Sequence, residues 1–170
     1  MSLQWIGAIL VIAGCGGVGF LMAMYDKREL DALCQLHSVL EYMICELGYR
    51  MTPLPELCRK AAARCKGSVR CVMETLAGEL ESQIAPDVGC CVTAAVSKVP
   101  ELPMLSAELI RQLGFTLGIF DLQGQIRGLE AVRDSCVNVK RSREANRTQR
   151  IRSYQTLGLC AGAAIAILFL

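Results

Sequence analysis

Glu29-Leu-Asp-Ala-Leu-Cys-Gln-Leu-His-Ser-Val-Leu-Glu-Tyr-Met-Ile-Cys-Glu-Leu-Gly48 carries the clearest periodic signal in the chain. Leu30, Leu33, Leu36, Val39, Leu40, Met43, Ile44 and Leu47 recur at intervals of three and four. That spacing places them on one face of a helix and predicts that the face is buried. Gly48 is the expected stop, since glycine takes the left-handed conformation past a helix end without penalty. Thr52-Pro53-Leu54-Pro55-Glu56 then reads as the start of a second helix. Its prolines fall in the first turn, where a missing N–H costs little. That helix is expected to reach Lys66 and to end at Gly67.

The same punctuation continues downstream. Ser68 is the expected cap of a third helix carrying Val69, Val72, Met73, Leu76 and Leu80. Pro86-Asp87 opens a fourth, with Cys90, Cys91, Ala94 and Ala95 as its small-residue face. Ser106 is expected to cap a fifth helix with Leu109, Ile110, Leu113 and Leu117, closed by Gly118. Asp121 is expected to cap a sixth helix carrying Leu122, Ile126, Leu129 and Val132. From Leu129 through Tyr154 there is no Gly or Pro, so the sixth helix is expected to run on without a break. No segment shows the period of two that marks a strand. The expected domain is an all-α bundle of six helices.

Outward from this bundle the composition changes. The chain has 170 residues, and all of its 18 basic and 16 acidic side chains lie between Asp26 and Arg152. The uncharged stretch from Leu3 to Met24 is long enough, at ~1.5 Å per residue, to cross the ~30 Å hydrocarbon layer. Trp5 and Tyr25 stand near its ends, where amphipathic rings favour the interface. A cleaved signal peptide is the competing reading, but the stretch lacks the basic leader that such a peptide needs. Tyr154 to Leu170 is a second apolar segment, at the lower length limit for a span. The expected organisation is a transmembrane helix over 1–25, a cytoplasmic helical bundle over 26–152 and a transmembrane helix over 153–170. Small-residue rows, Ala13 with Gly17 and Gly158 with Gly162 and Ala166, have the spacing at which membrane helices approach closely.

Charge orients this arrangement. Lys140, Arg141, Arg143, Arg147, Arg150 and Arg152 are offset only by Glu144, while 26–139 holds 12 basic and 15 acidic residues. Lys27 and Arg28 flank the first apolar segment on the same side. Positive residues beside a span are retained on the cytoplasmic face and attract anionic lipid, and that explains the run better than nucleic-acid binding does. Both flanks therefore put the middle domain in the cytoplasm.

Catalytic chemistry is hard to find. There is no phosphate-binding loop, no H-E-x-x-H and no G-x-S-x-G. His37 is the single histidine and sits among core positions. The ten cysteines include no C-x-x-C pair, so a zinc site lacks ligands. Reduced thiols packed as small hydrophobes are the expected state in the cytoplasm. Asp87 and Asp121 read as helix caps. The sequence therefore predicts a protein that is not an enzyme and needs no cofactor or metal.

Three ordered motifs resemble one family. Glu46-Leu-Gly-Tyr-Arg-Met-Thr-Pro-Leu-Pro-Glu56 is similar to its E-[IL]-x-Y-x-x-T-P-L-P-E stretch. Leu113-Gly-Phe-Thr-Leu-Gly-Ile-Phe-Asp121 with Gln125 is similar to its L-G-x-x-L-G-x-x-D-x-x-x-Q stretch. Tyr154-Gln-Thr-Leu-Gly158 is similar to its Y-x-x-L-G lead into the last apolar helix. The chain thus resembles, over its whole length, the stage III sporulation protein AB family of endospore-forming bacteria. The cysteine richness is a departure from that family.

The resemblance implies a soluble domain like the cytoplasmic domains of the type II secretion F protein. It also implies a place in the sporulation complex that links mother cell and forespore, in the mother-cell membrane facing the forespore. Expected partners are the sporulation ATPase (stage III sporulation protein AA), other membrane components of that complex and the lipid bilayer, with no nucleic acid. Thr52, Pro53, Pro55, Glu56, Gly118, Asp121 and Gln125 are motif residues with mainly structural explanations. Tyr49 and Arg50 have weaker ones and are the candidate partner-contact residues. A membrane-anchored signalling or regulatory protein is the alternative, and it predicts a ligand-sized polar pocket in the bundle. A thiol enzyme is a third reading, and it predicts one exposed cysteine with a lowered pKa.

Overall fold

The computed structural model describes residues 2–82, 86–118 and 121–169, with side chains at 21 and over 24–145 outside those gaps. Six helices follow one another: α1 (Ser2–Arg50), α2 (Leu54–Ala62), α3 (Gly67–Ser82), α4 (Val88–Ser97), α5 (Met104–Gly114) and α6 (Leu122–Phe169). Among the described residues there is no strand, so the all-α expectation holds. Helix α6 is continuous over its 48 residues, and the stretch from Leu129 through Tyr154 passes without Gly or Pro as the sequence predicts.

The chain divides into two compact units, Glu29–Arg141 and the pair of segments Met1–Arg28 with Ser142–Leu170. In the first of these, α2 packs on α3, α3 on α4 and α4 on α5. Its core takes the predicted face of α1 almost entirely: Leu33, Leu36, Val39, Leu40 and Met43 are buried. They meet Leu57, Met73, Leu76, Ile110, Leu113 and Leu129 from the other helices. Fully burying each such side chain is worth about 1.5–3 kcal/mol, so this one cluster is what holds the unit together. Cys136 of α6 donates its thiol to the Leu33 carbonyl of α1 at 3.5 Å. Ion pairs tie neighbouring helices at the surface, Arg59 to Glu81 between α2 and α3 and Lys98 to Glu79 between α4 and α3.

In the other unit, Arg143 pairs with Asp26 at 3.6 Å. Leu21, Met24 and Tyr25 are exposed there. Among the described residues no helix is long and apolar enough to cross a membrane. The two apolar ends on which the sequence places spans, Leu21 and Met24 apart, lie outside the residues whose side chains are described. The small-residue rows, the Tyr154–Gly158 motif, Cys15 and Cys160 lie outside them as well.

Several boundaries differ from expectation, each for a local reason. Helix α1 continues through Gly48 to Arg50, and the left-handed residue is Met51 at φ 49. Helix α2 stops at Ala62, four residues before Lys66, while Gly67 takes φ 59 at the start of α3. Ser106 does not cap α5: the N-cap is Pro103, without a side-chain bond, and the Ser106 hydroxyl is buried with no hydrogen-bond partner. Glu29 of α1 supplies the missing acceptor, taking the Leu105 N–H at 2.9 Å. Helix α5 ends at Gly114, and Gly118 takes φ 80 in the turn that follows. On α4 the buried face is Cys91, Val92, Ala95 and Val96, leaving Cys90 exposed.

Candidate partner-contact site

The corner between α1 and α2 is built around a buried carboxylate. Glu46 is 9% exposed on the last turns of α1. Its Oε1 accepts from the Thr52 hydroxyl at 3.1 Å and from Lys60 Nζ at 3.2 Å, with Arg50 at 3.8 Å. Lys60 also pairs with Glu56 at 2.9 Å on the same face of α2. Burial alone would raise the Glu46 pKa. The hydrogen bonds from Lys60 and Thr52 and the charges of Lys60 and Arg50 outweigh it, so the carboxyl is held below its ordinary value. Lys60 is shifted up, first by its bond to Glu56 and then by Glu46.

The motif residues find their structural roles here. Pro53 is the N-cap of α2, and its carbonyl accepts the Leu57 N–H at 2.9 Å. Pro55 sits in the first turn, and Glu56 places a negative charge at the positive end of the helix. Thr52 is buried and turns its hydroxyl to Glu46 rather than capping α2. A buried carboxylate that accepts from Thr52 and Lys60 locks the chain path from 46 to 60.

That lock holds three side chains out into solvent. Tyr49 is 90% exposed, Met51 is 70% exposed, and Arg50 between them is exposed. A side chain at Gly48 would meet nothing within 4 Å, so the corner stands in open space. Met51 keeps a positive φ, which costs a non-glycine residue on the order of 1–2 kcal/mol. Tyr, Arg and Met are the types enriched where proteins bind each other. Past the end of α2, the exposed Arg64 guanidinium stacks 4.2 Å from the centre of the Tyr42 ring of α1.

The second motif is a packing device. A Cβ at Gly114 would come to 3.0 Å of the Gly89 Cα, so α5 and α4 touch backbone to backbone. A Cβ at Gly118 would lie 2.4 Å from Val88 Cγ2. One at Gly128 would lie 2.5 Å from Thr116 Cβ, which is how α6 fits against the turn after α5. Asp121 caps α6 as predicted, accepting the Gly124 N–H at 3.0 Å, and Gln125 donates its backbone N–H to the Asp121 carbonyl. Asp87 caps α4 through the Cys90 N–H at 2.6 Å, and that bond holds its carboxyl below the ordinary range.

Thiol chemistry finds no support in the shifts. Burial pushes Cys58 up to about 12 and Cys65 and Cys136 up to about 11. The Asp87 carboxylate raises exposed Cys90, and burial raises Cys91. A nucleophilic cysteine needs the opposite shift. No group of metal-ligating side chains stands together among the described residues. Sequence reasoning singled out Tyr49 and Arg50. It missed Glu46 as the hub and Met51 as the strained third member, because both depend on where Lys60 and Thr52 come to rest.

Comparison with known proteins agrees with this architecture. A search of curated proteins gives no match. A solved structure, "Stage III sporulation protein AB (SpoIIIAB)", superposes with a TM-score of 0.64 at 19% identity. The alignment covers 72% of this chain and 98% of that one, and at this identity it speaks for a shared fold. The family described as Stage III sporulation protein AB matches residues 4–170. With both long helices and all three motifs inside that match, the chain belongs to the stage III sporulation protein AB family.

Proposed function

We propose that this protein is a membrane-held assembly component of the stage III sporulation complex, and that its cytoplasmic bundle docks the sporulation ATPase (stage III sporulation protein AA) through Tyr49, Arg50 and Met51. Family membership supports the place in the complex. The uncharged ends and the basic residues that flank them support membrane anchoring, with the bundle on the cytoplasmic side. One observation carries the docking surface: an exposed methionine is kept in a strained backbone conformation at the tip of a corner whose base is locked by a buried ion cluster. Strain retained at a side chain exposed to solvent points to a partner that uses it.

The test is a pull-down of the ATPase by the full-length protein in detergent, with wild type beside Tyr49→Ala/Arg50→Ala. The expected result is capture by wild type and at least a tenfold weaker interaction for the double variant, the range seen when interface anchors are truncated. Equal capture by both would move the contact off this corner. No capture by wild type would remove the ATPase as partner and leave an assembly role among the membrane components.

A further inference from the structure

Charge is divided between the two units. The unit formed by 1–28 and 142–170 carries six basic residues against two acidic ones, Asp26 and Glu144. The bundle of 29–141 carries twelve against fourteen. Asp26 is engaged by Arg143 and does not offset its neighbours Lys27 and Arg28. Among the described residues neither of those two is in an ion pair.

On the same stretch of α1, Leu21 is 66% exposed and Tyr25 is 56% exposed, with Met24 exposed between them. Leu21, Met24, Tyr25 and Arg28 are three or four residues apart and therefore share one helix face. Seven residues of helix separate Leu21 from Arg28, a rise of about 10 Å. Along that rise the side chains pass from aliphatic to aromatic to cationic. This is the order met on crossing from acyl chains through the interfacial belt to the phosphate layer.

We propose that this face of α1 is a lipid contact selective for anionic phospholipid: Leu21 and Met24 lie against acyl chains, Tyr25 sits at the interface, and Arg28 with Lys27 binds the headgroup phosphate. The inference rests on the membrane reading above and deepens it. Charge favours lipid over a protein occupant. The unit with the basic excess is drawn to an anionic leaflet, whereas the bundle, with more acidic than basic residues, is not.

The experiment uses the full chain, reconstituted in vesicles, with Tyr25→Trp as reporter in a Trp5→Phe background. Quenching by brominated phosphatidylglycerol is compared with quenching by brominated phosphatidylcholine at equal mole fraction. Phosphatidylglycerol is expected to be enriched beside the reporter on the order of fivefold, the effect of one cation at an anionic surface. Lys27→Gln/Arg28→Gln is expected to bring the two lipids level while quenching persists. Equal quenching by both lipids before those substitutions overturns the selectivity. Quenching by neither, in protein that floats with the vesicles, overturns it differently, because another helix or a second copy then covers the face. Protein that does not float at all overturns the membrane reading itself, and this inference with it.

Discussion

Glu46 shows how much one side chain can organise. Its carboxylate is nearly enclosed, yet it faces Thr52, Lys60 and Arg50, so the charged form is favoured in the fold. The sign of the pH dependence follows. A carboxyl whose pKa is lower in the folded chain contributes stability above its ordinary value of 4.5, and that contribution is lost as pH falls through the folded value. Wild type and Glu46→Gln are therefore expected to differ in unfolding midpoint at neutral pH and to converge in acid, as denaturant titrations over that range would reveal. Lys60 is raised and loses its proton only far on the alkaline side, so it adds nothing in this window. Thr52→Val removes one hydrogen bond to the carboxylate and should cost about 0.5–1.5 kcal/mol. Met51→Gly is expected to leave stability level or raise it by up to about 1 kcal/mol while weakening partner capture, since it relieves the left-handed strain and deletes the exposed side chain.

Helix ends in this protein are closed by different chemistries, and each is testable at the level of the element. Asp121 caps α6 from its own chain segment, so Asp121→Ala should cost about 1 kcal/mol in thermal unfolding. Helix α5 lacks a local cap and takes Glu29, 2% exposed on α1, as its acceptor. Glu29→Ala leaves the half-buried Leu105 N–H without its acceptor, at a cost of about 1 kcal/mol. Hydrogen exchange should then speed up at the start of α5 before it does elsewhere in the bundle. An unchanged exchange pattern there would mean that water replaces the carboxylate without loss. Gly128→Ala drives a Cβ to within 2.5 Å of Thr116 Cβ, and overpacking of this kind costs about 1–3 kcal/mol.

For the molecule as a whole, the cysteines with described side chains separate into two sets. Cys34, Cys45, Cys71 and Cys90 are exposed, whereas Cys58, Cys65, Cys91 and Cys136 are buried. Alkylation followed by mass spectrometry is expected to modify the first set in the folded protein and the second only after denaturation. Fast labelling of Cys58 or Cys136 in the folded state would contradict the core described above. The buried thiols pack in the bundle as small polarizable hydrophobes.

The sequence by itself determined the helices and most of the core. The three/four spacing of Leu33, Leu36, Leu40 and Met43 reports burial, because a face that repeats at the helical period has to be covered. Asp87 and Asp121 were legible as caps, since a cap bonds within its own turn. Tyr49 and Arg50 stood out because no local rule explained them. Only the tertiary structure decided the remainder. Glu46 became a hub when α2 brought Lys60 back to α1, Ser106 lost its capping role to Pro103 and Glu29, and Gly128 became a close-packing position when Thr116 settled against it. These outcomes join residues 12 to 76 positions apart, and no periodicity or local propensity encodes which partner arrives from so far along the chain.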